Sequence, residues 1–147
     1  MLSVSHIDSA AQILRSKGYK MTQPRRQVLE VLDELQEPVS PYNIQEILLK
    51  KGKRLNHVTI YRVLSLFCQL NLAHKLSSVG GFVRCKLSDK EGCHRFMICR
   101  QCGVCHEFAD EALCEKEKEI ARNLGFCTEL HLAESVGLCR NCKQDKP

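Results

Sequence analysis

The chain has 147 residues, including ten cysteines, and its 22 Lys and Arg against 17 Asp and Glu give a formal net charge of +5. No run of about 18 apolar residues is present, which argues against a membrane span. The first residues also lack the basic and apolar blocks of a secretory signal. We therefore expect a cytoplasmic protein whose cysteines bind metal rather than form a disulfide framework.

The two halves of the chain differ in composition. Residues 1–70 hold ten basic residues, six acidic residues and one cysteine. Residues 71–147 hold twelve basic residues, eleven acidic residues and nine cysteines. A basic excess favours a phosphate-bearing partner, and clustered cysteines favour zinc. The pattern predicts two small domains, which we place at residues 1–88 and 89–147.

Apolar residues at helical spacing predict four helices in the first half, over residues 5–17, 22–35, 40–52 and 58–69. Thr22 and Ser40 are suitable N-caps, and each has a proline close behind it in the first turn. Gly18 and Gly52 are typical stop signals.

Alternating residues then replace the helical pattern. Residues 73–78 and 82–87 flank Gly80 and Gly81, which predicts a β-hairpin. Helices followed by a short hairpin are typical of a winged helix-turn-helix, with the hairpin as the wing. The remainder predicts strands over residues 96–102 and 105–110, a helix over 111–124 and a strand over 126–135. The fold class is therefore α+β: an N-terminal winged helix-turn-helix followed by a small α/β domain.

Two Cys-x-x-Cys pairs, each called a knuckle, are the strongest chemical signal. They are Cys99 with Cys102, and Cys139 with Cys142. Four thiolates complete the tetrahedron that a structural zinc prefers. The alternative of two separate redox pairs requires a thioredoxin-like strand-to-helix turn, and neither knuckle has that context.

A second candidate set combines one sulfur, two imidazoles and one carboxylate: His74, Cys85, His94 and Glu107. These donors suit zinc better than they suit oxygen-preferring ions. The alternative is a buried cysteine with surface histidines and a solvated glutamate. His131, on a predicted strand face with Cys127 and Glu129, and Cys93 are possible further ligands. Cys114 and the remaining cysteines are expected to be packed or free thiols.

Several segments together resemble the ferric uptake regulator family, and within it the zinc-sensing branch. They are MTQPRRQVLEVL, HVTIYRVLSLF, the hairpin AHKLSSVGGFVRCKL, FMICRQCG and ESVGLCRNC. The resemblance covers about residues 10–143. It implies a homodimer, in which the second domain is the dimerisation domain, that represses metal-uptake genes when metal is abundant.

The resemblance also implies a regulatory zinc site at His74, Cys85, His94 and Glu107, with Cys93 as an alternative to His94. Two zinc ions per subunit are then expected, and a third is possible. Iron-sensing relatives carry an oxygen ligand where Cys85 stands and a histidine-rich run before the first knuckle. Neither feature is present in this chain.

DNA contacts are expected from the fourth helix and the start of the third. Arg62 is suited to guanine, and Tyr61, His57 and Thr59 are further candidates for the major groove. By resemblance, Tyr42 should contact a base or the backbone. Arg25, Arg26, Lys51, Lys53 and Arg54 are candidate phosphate neighbours. A dimer predicts a palindromic double-stranded operator.

Three other functions were weighed. An iron- or peroxide-responsive regulator would share this architecture. A zinc enzyme is disfavoured because four protein ligands leave no position for water, so neither catalysis nor a small-molecule substrate is expected. A zinc-stabilised interaction module without DNA binding would lack salt-dependent binding to random duplex.

Overall fold

The computed structural model describes residues 5–87, 93–129 and 131–144. The chain divides into two compact units, Met1–Cys85 and Lys86–Pro147, called the first and second unit below. The predicted division between residues 88 and 89 lies outside the described residues.

Four helices build most of the first unit: α1 (His6–Ser16), α2 (Gln23–Glu34), α3 (Pro41–Lys50) and α4 (His57–Gln69). Each begins after a side chain that accepts a hydrogen bond from a first-turn backbone N–H; these caps are Ser5, Thr22, Ser40 and Asn56. The four predicted helices are confirmed. Asn56 starts α4 one residue earlier than the apolar pattern predicted.

An apolar core fills the first unit. Leu14, Leu29, Ile44, Leu64 and Phe67, drawn from all four helices, are each 0% exposed. Burying one such side chain stabilises a fold by about 1.5–3 kcal/mol. This packing fixes which face of each helix remains outside.

A hairpin follows the helices. Strands β1 (Ala73–Leu76) and β2 (Gly81–Arg84) pair antiparallel. Gly80 has φ 68, a backbone region that favours glycine, whereas a Cβ on Gly81 would lie 2.8 Å from the Pro38 Cβ. Strand β1 is shorter than predicted because residues 77–80 form the turn, whereas β2 begins one residue earlier than predicted and ends at Arg84 rather than residue 87. The winged helix-turn-helix is confirmed.

The second unit contains β3 (Cys93–Cys99), β4 (Cys105–Phe108), α5 (Glu111–Asn123), β5 (His131–Gly137) and α6 (Arg140–Gln144). Its sheet has the order β4-β3-β5, with β4 antiparallel and β5 parallel to the central β3. The α/β architecture is confirmed. Helix α6, which carries the second knuckle, was not predicted.

Two strand boundaries differ from prediction. The central strand begins at Cys93 rather than residue 96, and the last strand spans His131–Gly137 rather than residues 126–135. Parallel pairing sets both limits, because Cys93 pairs with His131 and Cys99 with Gly137. Alternating hydrophobicity does not reveal which strand is the partner.

The pairing register separates two faces of this sheet. Cys93, Arg95 and His131 lie on one face, because Cys93 pairs with His131 and successive side chains alternate. His94 and Glu107 lie on the other face. Among the described residues, no helix is both long and apolar enough to cross a membrane.

Candidate metal centres and DNA interface

The four cysteines of the two knuckles meet in the second unit. The sulfurs of Cys99, Cys102, Cys139 and Cys142 all lie within 4.8 Å of one another, and those of Cys102 and Cys139 are 3.7 Å apart. Four sulfurs at such distances are compatible with a shared ion at sulfur–metal distances of about 2.3 Å. The fold thus closes the gap of 36 residues between the knuckles.

Local backbone structure positions each knuckle. Cys99 ends β3, and the following turn returns at Gly103, whose φ is 79 and whose N–H donates to the Cys99 carbonyl over 2.9 Å. Cys142 lies within α6, and the Arg100 N–H donates to the Gly137 carbonyl over 2.9 Å. That bond ties the first knuckle to the end of β5, directly before the second knuckle.

Contacts within the cluster give its cysteine thiols different pKa values. Backbone N–H groups of Cys102 and then Cys139 donate to the Cys99 sulfur and lower the pKa of Cys99 to about 6. Hydrogen bonding with Cys139, followed by burial, raises the pKa of Cys142 to about 12. The lowered pKa of Cys99 favours its thiolate, which is the form a metal binds.

His74 and Cys85 form a buried pair in the first unit. They are 5% and 1% exposed, and a ring nitrogen of His74 lies within 4.8 Å of the Cys85 sulfur. The Cys85 N–H donates to the Leu72 carbonyl over 2.9 Å, which holds the residue beside β1 although β2 has ended at Arg84. A nitrogen and a sulfur donor are thereby held together.

His94 and Glu107 form a second buried pair, in the second unit. Their side chains are 1% and 3% exposed, and His94 Nδ1 lies 2.9 Å from Glu107 Oε2. The other carboxylate oxygen accepts from the Lys86 N–H over 2.5 Å. His106 is exposed and lies on the opposite face of β4, so it does not join this pair.

Cys93 lies on the opposite face of β3 from His94. It forms a disulfide bond with Cys114 of α5, whereas we expected packed or free thiols. The sequence pattern could not show this pairing, because Cys114 reaches β3 only when α5 packs on the sheet.

His131 also differs from expectation in its neighbours. Residues 127–129 are not in a strand, and Cys127 is an exposed free cysteine, so the expected strand face of Cys127, Glu129 and His131 is wrong. Strand β5 begins only where β3 offers a partner. The ligand atoms of Cys93, Cys114 and His131 instead lie within 4.8 Å of one another.

Helix α4 presents the predicted DNA-contacting side chains. Tyr61 is 43% exposed, and Arg62 is exposed while Thr59 is half-buried. Tyr42 at the start of α3 is 66% exposed, and its ring centroid lies 4.1 Å from that of His57, which in turn lies 5.1 Å from Tyr61. The three rings form one row across α3 and α4.

The five candidate phosphate neighbours do not share one environment. Lys51 and Lys53 form ion pairs with Glu34 and Glu30, at 2.6 Å and 3.3 Å. Arg25 donates to the Lys20 carbonyl over 2.6 Å. Arg26 and Arg54 are exposed. Arg26 and Arg54 therefore offer the least neutralised charge of the five.

A winged helix-turn-helix with an exposed α4, joined to a cysteine-rich α/β unit, defines the class of metal-binding transcription regulators. The family model of the ferric uptake regulator family matches residues 16–135. The chain belongs to this family.

Individual relatives agree on the family and differ in the metal they are named for. The ferric uptake regulation protein of Legionella pneumophila is 31% identical over 134 residues, which cover 90% of this chain and 98% of that protein. A solved zinc uptake regulator complexed with zinc and DNA is 25% identical, with a TM-score of 0.84, and covers 92% of this chain and 91% of that one. The holo form of XcZur is 25% identical, with a TM-score of 0.85, over 97% and 99%.

The chain is thus a metal-responsive DNA-binding transcription regulator and not an enzyme. Family membership supports both statements. Double-stranded DNA is the partner of this chain. Which metal it responds to is a separate question, because the Legionella pneumophila relative is named for iron and the regulator solved with DNA is named for zinc.

Proposed function

We propose that this chain is a zinc-responsive repressor that binds palindromic operators of zinc-uptake and homeostasis genes when it is loaded with zinc. The observation that carries the choice of zinc is the Cys85 sulfur, buried beside a ring nitrogen of His74. A thiolate favours zinc over the harder ferrous ion, for which oxygen and nitrogen donors are the better set.

The first zinc in this proposal is structural. Cys99, Cys102, Cys139 and Cys142 would hold it, since their sulfurs lie within 4.8 Å of one another and thiolate is the ligand form. Such an ion joins β3 to α6. Four protein ligands leave no position for a reacting water, so the site stabilises the unit and has no catalytic role.

The second zinc is regulatory, with ligands from two pairs: His74 and Cys85, and His94 and Glu107. Each pair is preformed within its own unit, with ring nitrogen and sulfur within 4.8 Å in the first and ring nitrogen and carboxylate oxygen 2.9 Å apart in the second. All four side chains are at most 5% exposed. Together the two pairs offer two imidazoles, one thiolate and one carboxylate, a donor set that suits zinc.

Zinc bound by both pairs would join the first unit to the second. If one arrangement of the DNA-binding units suits the operator, zinc favours it by binding that arrangement more tightly than the others. Zinc concentration is thereby converted into DNA affinity. Couplings of this kind typically change affinity by about 5- to 150-fold.

The DNA-binding surface in this proposal is the exposed side of α4 with the start of α3. Arg62 would read a guanine, while Tyr42, His57, Thr59 and Tyr61 contact bases or backbone nearby. Arg26 and Arg54, which are exposed, would neutralise phosphates.

A homodimer completes the proposal. The second unit exposes large apolar side chains: Leu113 47%, Leu124 70%, Phe126 70%, Leu132 40% and Val136 50%. Surface of this kind on a small unit is typical of an interface between copies. Two copies of α4 related by a two-fold axis predict a palindromic operator.

The test of the regulatory site is a Cys85→Ala variant, titrated with zinc and, separately, with ferrous iron while binding to the operator is measured. We expect zinc to raise the affinity of the parent chain by about 5- to 150-fold and to leave Cys85→Ala unchanged. Cys68→Ala, another cysteine of the first unit, is the matched control and should respond as the parent does. Unaltered zinc dependence in Cys85→Ala would contradict the proposal.

The same titration separates the iron-responsive alternative, which the ferric uptake relatives favour. If ferrous iron raises operator affinity in the parent chain and zinc does not, the alternative replaces the proposal.

The test of the DNA surface compares Arg62→Ala with Arg26→Ala. Loss of a base-reading arginine should cost about 1–3 kcal/mol on the specific operator and relax the sequence preference at one position. Loss of a phosphate contact should weaken binding to all duplexes and lower the salt dependence. Equal losses on specific and random DNA for Arg62→Ala would remove that residue from the reading surface.

A further inference from the structure

A third cluster of metal-binding side chains lies where α5 packs on the sheet, and the proposed function does not use it. Cys93 and Cys114 are 6% and 7% exposed, and the side chain of His131 is 9% exposed. One sulfur belongs to β3, the other to α5, and the imidazole to β5. Three elements of the second unit therefore meet at two sulfurs and a ring.

We propose that Cys93 and Cys114 form a redox pair that alternates between two states. In one state they form the disulfide bond seen in the structure. In the other they are thiolates that bind one zinc ion together with His131. A disulfide sulfur is not the thiolate that a metal needs, so the two states exclude each other.

The neighbours of His131 prepare it as a ligand. Its Nδ1 lies 3.1 Å from Glu117 Oε2, and the same carboxylate oxygen lies 2.6 Å from Arg95 Nη2. A carboxylate oxygen that lies against both a guanidinium and an imidazole accepts a hydrogen bond from each. Nδ1 then carries the proton, and the lone pair of Nε2 is left for a metal.

The donor set explains why this site would be less stable than the four-cysteine site. Two thiolates and one imidazole suit zinc, but three protein ligands leave one coordination position to water. The four-cysteine cluster offers four thiolates, two more than this site, and thereby fills all four positions. We therefore expect this third zinc to be the one that is released first.

A cleft gives small reagents access to the pair. It measures about 310 Å³ and is lined by both cysteines together with Asp110, Glu111, Glu115 and Lys118. Three carboxylates against one ammonium disfavour anionic reagents such as glutathione disulfide. Hydrogen peroxide is small and neutral, so it enters without that electrostatic cost.

The oxidation balances with peroxide as the oxidant. One thiolate attacks a peroxide oxygen, the O–O bond breaks, and a sulfenic acid forms with loss of hydroxide. The second thiolate attacks the sulfenic sulfur, a second hydroxide leaves, and the S–S bond closes. Two protons convert the hydroxides to water, and the zinc ion departs. The sulfurs lose two electrons to the peroxide, and a thiol reductant restores them.

The experiment uses the full-length chain, reduced with dithiothreitol, loaded with zinc and freed of excess zinc and reductant. Zinc per chain is measured before and after one equivalent of hydrogen peroxide. We expect the parent chain to hold one zinc more than Cys114→Ser and to release about one zinc with peroxide. Tryptic peptides 91–95 and 101–116 should become linked in the parent and remain separate in Cys114→Ser.

Two further variants isolate the two states. His131→Gln should lack the extra zinc yet still form the Cys93–Cys114 bond, whereas Cys127→Ser, which removes an exposed free cysteine, should match the parent in both readouts. Circular dichroism and the zinc held at the remaining sites check that each variant is folded. Every readout compares variants in the absence of DNA. A failure of this inference is therefore distinguishable from a failure of the proposed repressor function.

Two results would overturn the inference. Equal zinc content in the parent, Cys114→Ser and His131→Gln would remove the third site. A Cys93–Cys114 bond that persists in dithiothreitol, or zinc release by peroxide without that bond, would remove the alternation.

Discussion

The two units of this chain fill their interiors with different chemistry. The first has a continuous apolar core that runs from Ala10 to Phe82. In the second, the buried described residues include Phe96 and Ile98, but five are cysteines: Cys93, Cys99, Cys105, Cys114 and Cys142. A unit of about 60 residues buries too little apolar surface to be secure without reinforcement. If the proposed structural zinc is bound, metal–sulfur bonding supplies in the second unit what apolar packing supplies in the first.

The strongest way to break this comparison is to remove one sulfur of the four-cysteine cluster. Cys142→Ser should lose the structural zinc, and with it roughly 10–16 kcal/mol of apparent folding free energy, so the second unit should unfold. Zinc analysis and limited proteolysis check this, with α1–α4 expected to stay protected. Cys127→Ser is the control. If the second unit of Cys142→Ser is still protected from protease, apolar packing alone is enough to keep that unit folded.

A core truncation tests the other half of the comparison. Phe67→Ala in α4 should lower the free energy of unfolding of the first unit by about 3–5 kcal/mol, because Phe67 is 0% exposed. Denaturant titration followed by circular dichroism measures this, and zinc content should not change. Leu49→Ala is the matched control, since Leu49 lies in the same unit and is 52% exposed, so that its truncation should cost at most about 0.5 kcal/mol. Loss of zinc in Phe67→Ala would contradict the claim that the two units are stabilised independently of each other.

The smallest effect concerns pH and acts on the first unit alone. Burial, and then the charge of Arg84, lower the pKa of His6 from 6.5 to about 4. Between those values the unfolded chain binds a proton that the folded chain does not, so stability falls as pH drops from 6.5 toward 4. The loss is at most about 3 kcal/mol. His6→Gln should flatten this part of the pH profile, and His106→Gln, which alters an exposed imidazole, should not. If the stability of His6→Gln falls with pH as steeply as that of the parent chain, a group other than His6 causes the pH dependence.

How far the fold could be predicted depends on whether local signals decide it. The helices of the first unit were predictable because apolar spacing marks all four, and because a cap followed by a first-turn proline marks the start of α2 and of α3. In the second unit, β3 and β5 were displaced from their predicted limits because their ends depend on each other through parallel pairing. Helix α6 is too short for a periodic signal.

The candidate sites follow the same rule. The knuckles were visible because their spacing is local, whereas the set that contains His74 and Cys85 was a weak candidate from its donors alone and was strengthened by the family resemblance. Cys114 was missed because it belongs with Cys93 only after α5 docks.

Selection of operator sequences from a random duplex pool, with the full-length chain supplied with zinc or with ferrous iron, tests the central claim most directly. For a zinc-responsive repressor, we expect one inverted repeat to be enriched from the pool with zinc and not with ferrous iron. Enrichment with ferrous iron alone, or no enriched sequence with zinc, would contradict it.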